Sequence, residues 1–204
     1  MIRRRVAGWR LALWLAALAW LGAAPDARAD SLYRIDQRYG SIEFSVSVLG
    51  MFDVQGRFPR FMGELLLDPD HPDHTRIDVT IDANAVEMAS PDQTDLLRSA
   101  AYFNVADYPT SRFVSASIRA LSPSHYLIIG TLEVRGVAEA EVLDAVLQDR
   151  HVDKERGIET ADFVVTGKIR RSAFGMVADR TMLSDTVRLH IRIHLAVAST
   201  TNGD

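Results

Sequence analysis

Val187-Arg188-Leu189-His190-Ile191-Arg192-Ile193-His194-Leu195 places an aliphatic residue at every odd position and a basic one at every even position. A period of two belongs to a β-strand with one face buried and the other in water. Upstream, Ile42, Phe44, Val46 and Val48 alternate with Glu43, Ser45 and Ser47, and Leu49-Gly50 closes that strand. Residues 54–58 alternate again and resume as 61–67 after Pro59, where proline predicts a bulge or bend within one strand. The turn-rich run Asp68-Pro69-Asp70-His71-Pro72-Asp73 precedes a third strand, 77–81. Further strands are read at 112–118, 126–134, 142–147, 163–169 and 187–195.

Between Ser90 and Asp107 the period changes. Ser90-Pro91-Asp92-Gln93 opens like a helix, with proline in the first turn and an acid near the N-terminus, and Leu96, Leu97 and Ala100 are expected on one helical face. The pattern predicts an all-β domain of eight antiparallel strands with one short helical insertion. Closing a single sheet into a barrel would bury one face and remove the edges. A sandwich satisfies the same alternation, so periodicity leaves both open.

The chain starts with Arg3, Arg4, Arg5 and Arg10, runs uncharged over the 14 residues 11–24, and reaches Ala27-Arg28-Ala29. This is the pattern of a secretory signal peptide, residues 1–29, cleaved after Ala29. The apolar run falls short of the roughly 20 residues that span hydrocarbon, so no stable membrane anchor is expected. Residues 30–204 form the expected single domain, exported to the periplasm. Cleavage removes five arginines and Asp26, leaving 18 basic and 26 acidic residues and a net charge of −8. A surface this acidic disfavours nucleic acid and anionic headgroups. The chain has no cysteine, which excludes disulfides and thiolate chemistry.

Several segments, in order, resemble the YceI family: Tyr33-Arg34-Ile35-Asp36, Ile42-Glu43-Phe44-Ser45-Val46, Gly56-Arg57-Phe58, Phe61-Met62-Gly63 and Ile81-Asp82-Ala83. The resemblance continues through Leu97-Arg98-Ser99-Ala100-Ala101-Tyr102-Phe103, Tyr108-Pro109, Gly130-Thr131-Leu132, Arg135-Gly136-Val137, Arg171-Ser172-Ala173-Phe174-Gly175-Met176 and Ser184-Asp185-Thr186-Val187. It implies a lipocalin-like antiparallel barrel with a helix near one mouth. It also implies a ligand that is an isoprenoid, a quinone-like molecule or another long-chain amphiphile. The chain departs from the family at Tyr39 and Val48, where members often carry histidine, so no headgroup partner carries over from those positions.

Inward parity nominates a ligand-binding set: Phe44, Val46, Val48, Phe58, Phe61, Leu65, Val79, Ile81, Phe113, Ile128, Leu132, Val134, Phe163, Val165, Phe174, Leu189 and Ile191. Leu96, Leu97, Tyr102 and Phe103 are candidates for a lid over one mouth. A small barrel can also be filled by its own side chains, so each of these residues has a plain packing role as its alternative. Inward glycines such as Gly56, Gly63, Gly130 and Gly167 either leave space or bend their strands. For the polar end of a ligand the candidates are Tyr39, Arg57, Arg171 and Ser172, of which the arginines suit phosphate or carbonyl groups.

No nucleophile elbow, phosphate loop or isolated acid pair is present, and no cofactor is expected. A metal site is not expected either. His190 and His194 share a strand face but stand roughly 13 Å apart, too far to share one ion held at about 2 Å from each ligand. The expected function is a periplasmic carrier of a polyisoprenoid, quinone or fatty-acyl compound, with a homodimer as an open alternative to a monomer. Two other classes stay open: an enzyme of lipid or quinone metabolism, and a packed stress-related protein with a protein partner.

Overall fold

The computed structural model describes residues 31–67, 74–153 and 158–198; the expected signal peptide lies outside them. Eleven strands occur among the described residues: β1 (Ser31–Asp36), β2 (Gly40–Val48), β3 (Phe52–Arg57), β4 (Phe61–Leu67), β5 (Arg76–Asp82), β6 (Glu87–Met88), β7 (Thr110–Ser122), β8 (His125–Val134), β9 (Val137–Asp153), β10 (Ile158–Arg170) and β11 (Leu183–Ala198). One helix, α1 (Pro91–Arg98), lies between β6 and β7. All pairings are antiparallel, in the order β1-β4-β5-β7-β8-β9-β10-β11-β2-β3-β6.

The eight-strand expectation is corrected at three places. Pro59 does not bend one strand; it separates β3, which pairs with β2, from β4, which pairs with β1 and β5. Proline cannot donate to a ladder, so the chain changes partners there. The first strand, β1, and the two-residue β6 supply the rest of the difference. The closed barrel is corrected as well. β1 and β6 end the ladder without pairing to each other, which leaves a curled, open half-barrel. Two backbone bonds extend neighbouring ladders by a step: Phe58 N–H to Ile42 C=O at 2.9 Å continues the β2–β3 pairing, and His194 N–H to Tyr39 C=O at 2.7 Å continues the β11–β2 pairing.

Tight hairpins set the registers. Arg135 and Gly136, both at positive φ, connect Val134 to its partner Val137, and Leu49-Gly50 turns β2 into β3 in the same left-handed conformation. Two positive-φ residues match the right-handed twist of the strands they join. In β7 a bulge between Ser115 and Ser117 switches the inward parity, so that Ser111, Phe113 and Ser115 are buried before it and Ile118 after it.

The alternation of β11 is realised as read. Val187, Leu189, Ile191 and Ile193 turn inward, while Arg188 pairs with Asp53 at 2.6 Å, Arg192 with Glu43 at 3.5 Å and His194 with Asp162 at 2.6 Å. Exposed pairs of this kind are each worth about 0–1 kcal/mol, so the buried face carries the fold. That face forms two joined clusters. Phe113, Ile128, Leu132, Leu143, Val165 and Phe174 anchor one; Tyr33, Ile42, Phe44, Phe58, Phe61 and Leu65 anchor the other.

Candidate functional site

The curled sheet encloses a cavity of about 220 Å³. Its floor and walls come from alternate residues of facing strands: Phe44 and Val46 of β2, Val79 and Ile81 of β5, Phe113 of β7, Ile128, Leu132 and Val134 of β8, Val165 of β10, and Leu189 and Ile191 of β11. Phe58 and Phe61 flank Pro59 and enter from the seam. Phe58 lies 5.4 Å from the Phe44 ring and meets Phe103 edge-on at 5.5 Å. Many of the wall residues are only half-buried, because they face the void instead of a packed neighbour.

One end is covered by α1, the loop after it, and the turn Arg171–Phe174. Ser90 precedes the helix, Pro91 begins it, and Asp92 and Arg98 lie at the ends that suit their charges. Thr94 fixes its rotation: its Oγ1 accepts from the Met88 N–H at 3.0 Å and donates to the Ser90 C=O at 3.1 Å. At about 100° per residue, Leu97 then falls on the same side as Thr94 and lines the cavity, while Leu96 falls on the opposite side. Leu96 is exposed, and so is Ala100, so the expected face shared with Leu97 does not form. Tyr102 and Phe103 line the cavity with Leu97 and Phe174.

Other nominated residues fall outside the cavity. Val48 pairs with Leu183 near the β2–β3 turn, Leu65 is buried deeper in the second cluster, and Phe163 packs edge-on against Tyr126 at 6.2 Å. The four polar-end candidates do not converge. Tyr39 is exposed beneath the Arg38 guanidinium, and Arg57 is held by Glu87 at 2.6 Å. Ser172 donates to the Asp185 carboxylate at 2.7 Å from its hydroxyl and at 3.0 Å from its backbone N–H, which keeps that acid below the usual carboxylate range.

Arg171 alone of the four reaches the cavity wall. Its guanidinium is buried and donates to the carbonyls of Met176, Ala178, Leu183 and Ser184. Four of its five N–H donors are thereby occupied in shaping the 176–184 loop. Tyr102 donates to Asp179 of the same loop at 2.5 Å, and desolvation, with the Asp179 carboxylate beside it, pushes its phenol up to about 12. Arg135 adds bonds to Ala100 C=O at 3.2 Å and Gly175 C=O at 3.1 Å, so the covering segments are tied to the sheet and to each other.

The inward glycines are seats for neighbouring side chains. A Cβ on Gly56 would collide with the Phe44 ring, one on Gly130 with Phe113 at 2.5 Å, and one on Gly167 with Leu143 at 2.5 Å. The strand reading missed several wall residues, among them Ile35, Ile77, Ser111, Glu141, Leu143 and Met176. For Glu141 a signal existed: the odd parity of Leu143 carries back along β9 to it.

A sequence model of the YceI-like domain matches residues 33–195. The chain belongs to the YceI family. Protein YceI of Salmonella arizonae is 30% identical over 163 residues, covering 79% of this chain and 84% of the relative. A Campylobacter jejuni YceI protein superposes with a TM-score of 0.66 at 27% identity, over 73% of this chain and 88% of that one. BcnA of Burkholderia cenocepacia shares the fold at 22% identity, with a TM-score of 0.67 over 80% of this chain and 99% of that one. A polyisoprenoid-binding domain from Saccharophagus degradans shares it at 14% identity, with a TM-score of 0.59 over 82% of this chain and 98% of its own. These YceI-like architectures agree with the curled antiparallel sheet found here.

Proposed function

We propose that this YceI-family chain is an exported, periplasmic carrier that holds one long apolar amphiphile, an isoprenoid, quinone or fatty-acyl compound, inside the half-barrel. The observation that carries the reading is the cavity wall. It is aliphatic and aromatic around nearly its whole circumference, with Tyr102, Ser111, Glu141 and Arg171 as its hydrogen-bonding side chains among the described residues. The Saccharophagus degradans domain, described as polyisoprenoid-binding, has the same fold and supports an apolar ligand. Binding by such a wall needs no reacting group. Each 100 Å² of chain removed from water contributes about 2.5 kcal/mol before the cost of ordering the ligand.

The cavity sets a limit on what is enclosed. Small-molecule sites usually span about 300–1,000 Å³, and this one holds about 220 Å³. A long ligand therefore lies only partly in the lumen, or it enters by displacing Leu97 and Phe103. Export and carriage are tested together by purifying the protein from the periplasm, extracting it into organic solvent and analysing the extract by mass spectrometry. One long-chain species recovered in stoichiometric amount is the expected result; repeated recovery of lipid-free protein, with none taken up on exposure to such lipids, would falsify the reading.

A further inference from the structure

The layer that covers the cavity is apolar on both of its sides. Leu97, Met176 and Leu183 line the lumen, and their neighbours in the chain, Leu96, Val177 and Met182, are exposed. The β2–β3 hairpin tip stands beside this layer: the Leu49 N–H donates to the Met182 C=O at 2.7 Å, and Val48 pairs with Leu183. That tip carries Leu49, Met51 and Phe52, the last two 69% and 65% exposed. Bonds from Tyr102 to Asp179, and from Arg135 to Ala100 and Gly175, tie the segments of this rim to one another. Leu121 and Val152, toward the opposite ends of β7 and β9, are exposed singly, which is ordinary for a protein surface. A rim with six large apolar side chains in water marks an interaction surface.

The rest of this chain is badly placed to cover it. Residues 68–73 join β4 to β5, and residues 154–157 join β9 to β10, at the end of the sheet away from the rim, where Ser31 also pairs with Leu67. β11 leaves the rim at Leu183 and runs 16 residues to Ala198. The residues after Ala198 reach about 20 Å when extended, against about 50 Å along β11. A second copy fits poorly as well. Six side chains of this size, about half exposed, offer on the order of 500 Å², whereas each partner of a stable pair buries about 800 Å². They also stand as separate islands, with the exposed Asp53, Asp95 and Arg180 beside them. A bilayer deforms around such an uneven edge, and Arg180, two residues before Met182, is placed to stay with lipid phosphates while its apolar neighbours go deeper.

We propose that this rim docks on a membrane surface. Leu49, Met51 and Phe52 enter the apolar edge of the headgroup layer, and the cover at 96–97 and 176–183 lies against it, so that a long-chain lipid passes between bilayer and lumen without crossing water. The docking stands on the rim itself; its use in loading the lumen rests on the carrier reading.

The test is co-flotation of the protein, purified from the periplasm, with phosphatidylcholine vesicles. Beyond residue 29 the chain has no tryptophan, so Phe52→Trp and Leu121→Trp each place one fluorophore, at the tip and at the far end. The native chain should float, and emission should shift to the blue on vesicle addition for Phe52→Trp but not for Leu121→Trp. Met51→Ser/Phe52→Ser should lower the partition coefficient at least about tenfold, and Leu121→Ser should leave it within about twofold. Raising salt to about 1 M should change native binding less than about twofold, because apolar contact and not charge holds the rim. A native chain that stays with the soluble fraction, or a double-serine variant that floats as well as the native chain, overturns the proposal. So does a dimer in sedimentation that the double-serine variant dissociates while vesicles go unbound. The vesicles hold no cargo, so loss of docking with lipid still recovered from the protein leaves the carrier reading standing. Docking by a protein that takes up no lipid keeps the rim and overturns its role in loading.

Discussion

The Tyr102 hydroxyl donates to the Asp179 carboxylate at 2.5 Å, joining two segments 77 residues apart over one end of the cavity. Its titration is a direct probe of that closure. Burial and the neighbouring carboxylate hold the phenol at about 12, above its ordinary value of 10.0. The folded state therefore keeps this proton more tightly than the unfolded chain. The resulting stability is fully present below pH 10 and is lost as pH rises toward about 12. Urea unfolding midpoints of the native chain should fall over that window more steeply than those of Tyr102→Phe. Parallel curves would mean that the phenol titrates normally. At neutral pH the phenylalanine variant should lose about 0.5–1.5 kcal/mol for the missing bond.

Gly130 seats the Phe113 ring. A Cβ added there would lie 2.5 Å from Phe113 Cζ and 2.5 Å from the Val114 carbonyl oxygen, and the second contact cannot be relieved by rotating a side chain. Gly130→Ala should destabilise the fold by about 1–3 kcal/mol, as overpacking does elsewhere. Shortening the ring in Gly130→Ala/Phe113→Leu should recover only part of the loss, because the carbonyl contact persists. Full recovery in a denaturant titration would show that the ring alone sets the constraint.

Arg171 is the structural centre of the covering turn. Replacing it with methionine keeps much of its bulk but strands the carbonyls of Met176, Ala178, Leu183 and Ser184. Hydrogen bonds to charged donors are worth about 1.5–3 kcal/mol each and do not add fully, so Arg171→Met should cost at least about 3 kcal/mol. Arg171→Lys should still lose about 2 kcal/mol, since an ammonium on a flexible stem cannot span four fixed acceptors. Thermal or urea unfolding checks both. A loss of ligand affinity with no loss of stability would instead place the guanidinium on the ligand.

These residues also show where sequence patterns reach and where they stop. Alternation along residues 187–195 reports burial directly, because each side chain of a strand has only two directions to choose from, and the inward set of β11 follows. Partner choice is not local. Nothing around Pro59 distinguishes a bend within one strand from the point where β3 leaves β2's neighbourhood and β4 joins β1. Of Leu96, Leu97 and Ala100, which the sequence places on one face of α1, Leu97 alone lines the cavity. Leu96 and Leu97 are equally apolar, and only the tertiary bond between Met88 and Thr94 decides which of them meets the lumen. Arg171 resembles a ligand-binding arginine in sequence because its four partners are backbone atoms, which have no sequence signature. Glu141 was missed because a charged residue on a strand is ordinarily read as solvent-facing.

Val165 separates a ligand-holding lumen from a packed core. It lies on β10 opposite Ile191, is buried, and lines the cavity. In a fully packed interior, Val165→Phe would force its neighbours off their rotamers and cost about 1–3 kcal/mol. In a lumen with about 220 Å³ of free space, the extra ring has somewhere to go. Filling it removes unsatisfied apolar surface, and cavity-filling substitutions commonly add about 0.5–2 kcal/mol. The same ring then excludes an apolar chain. Val165→Phe should accordingly unfold at equal or higher urea concentration than the native chain while retaining far less extractable lipid. Destabilisation with lipid content unchanged would place the ligand outside this part of the half-barrel.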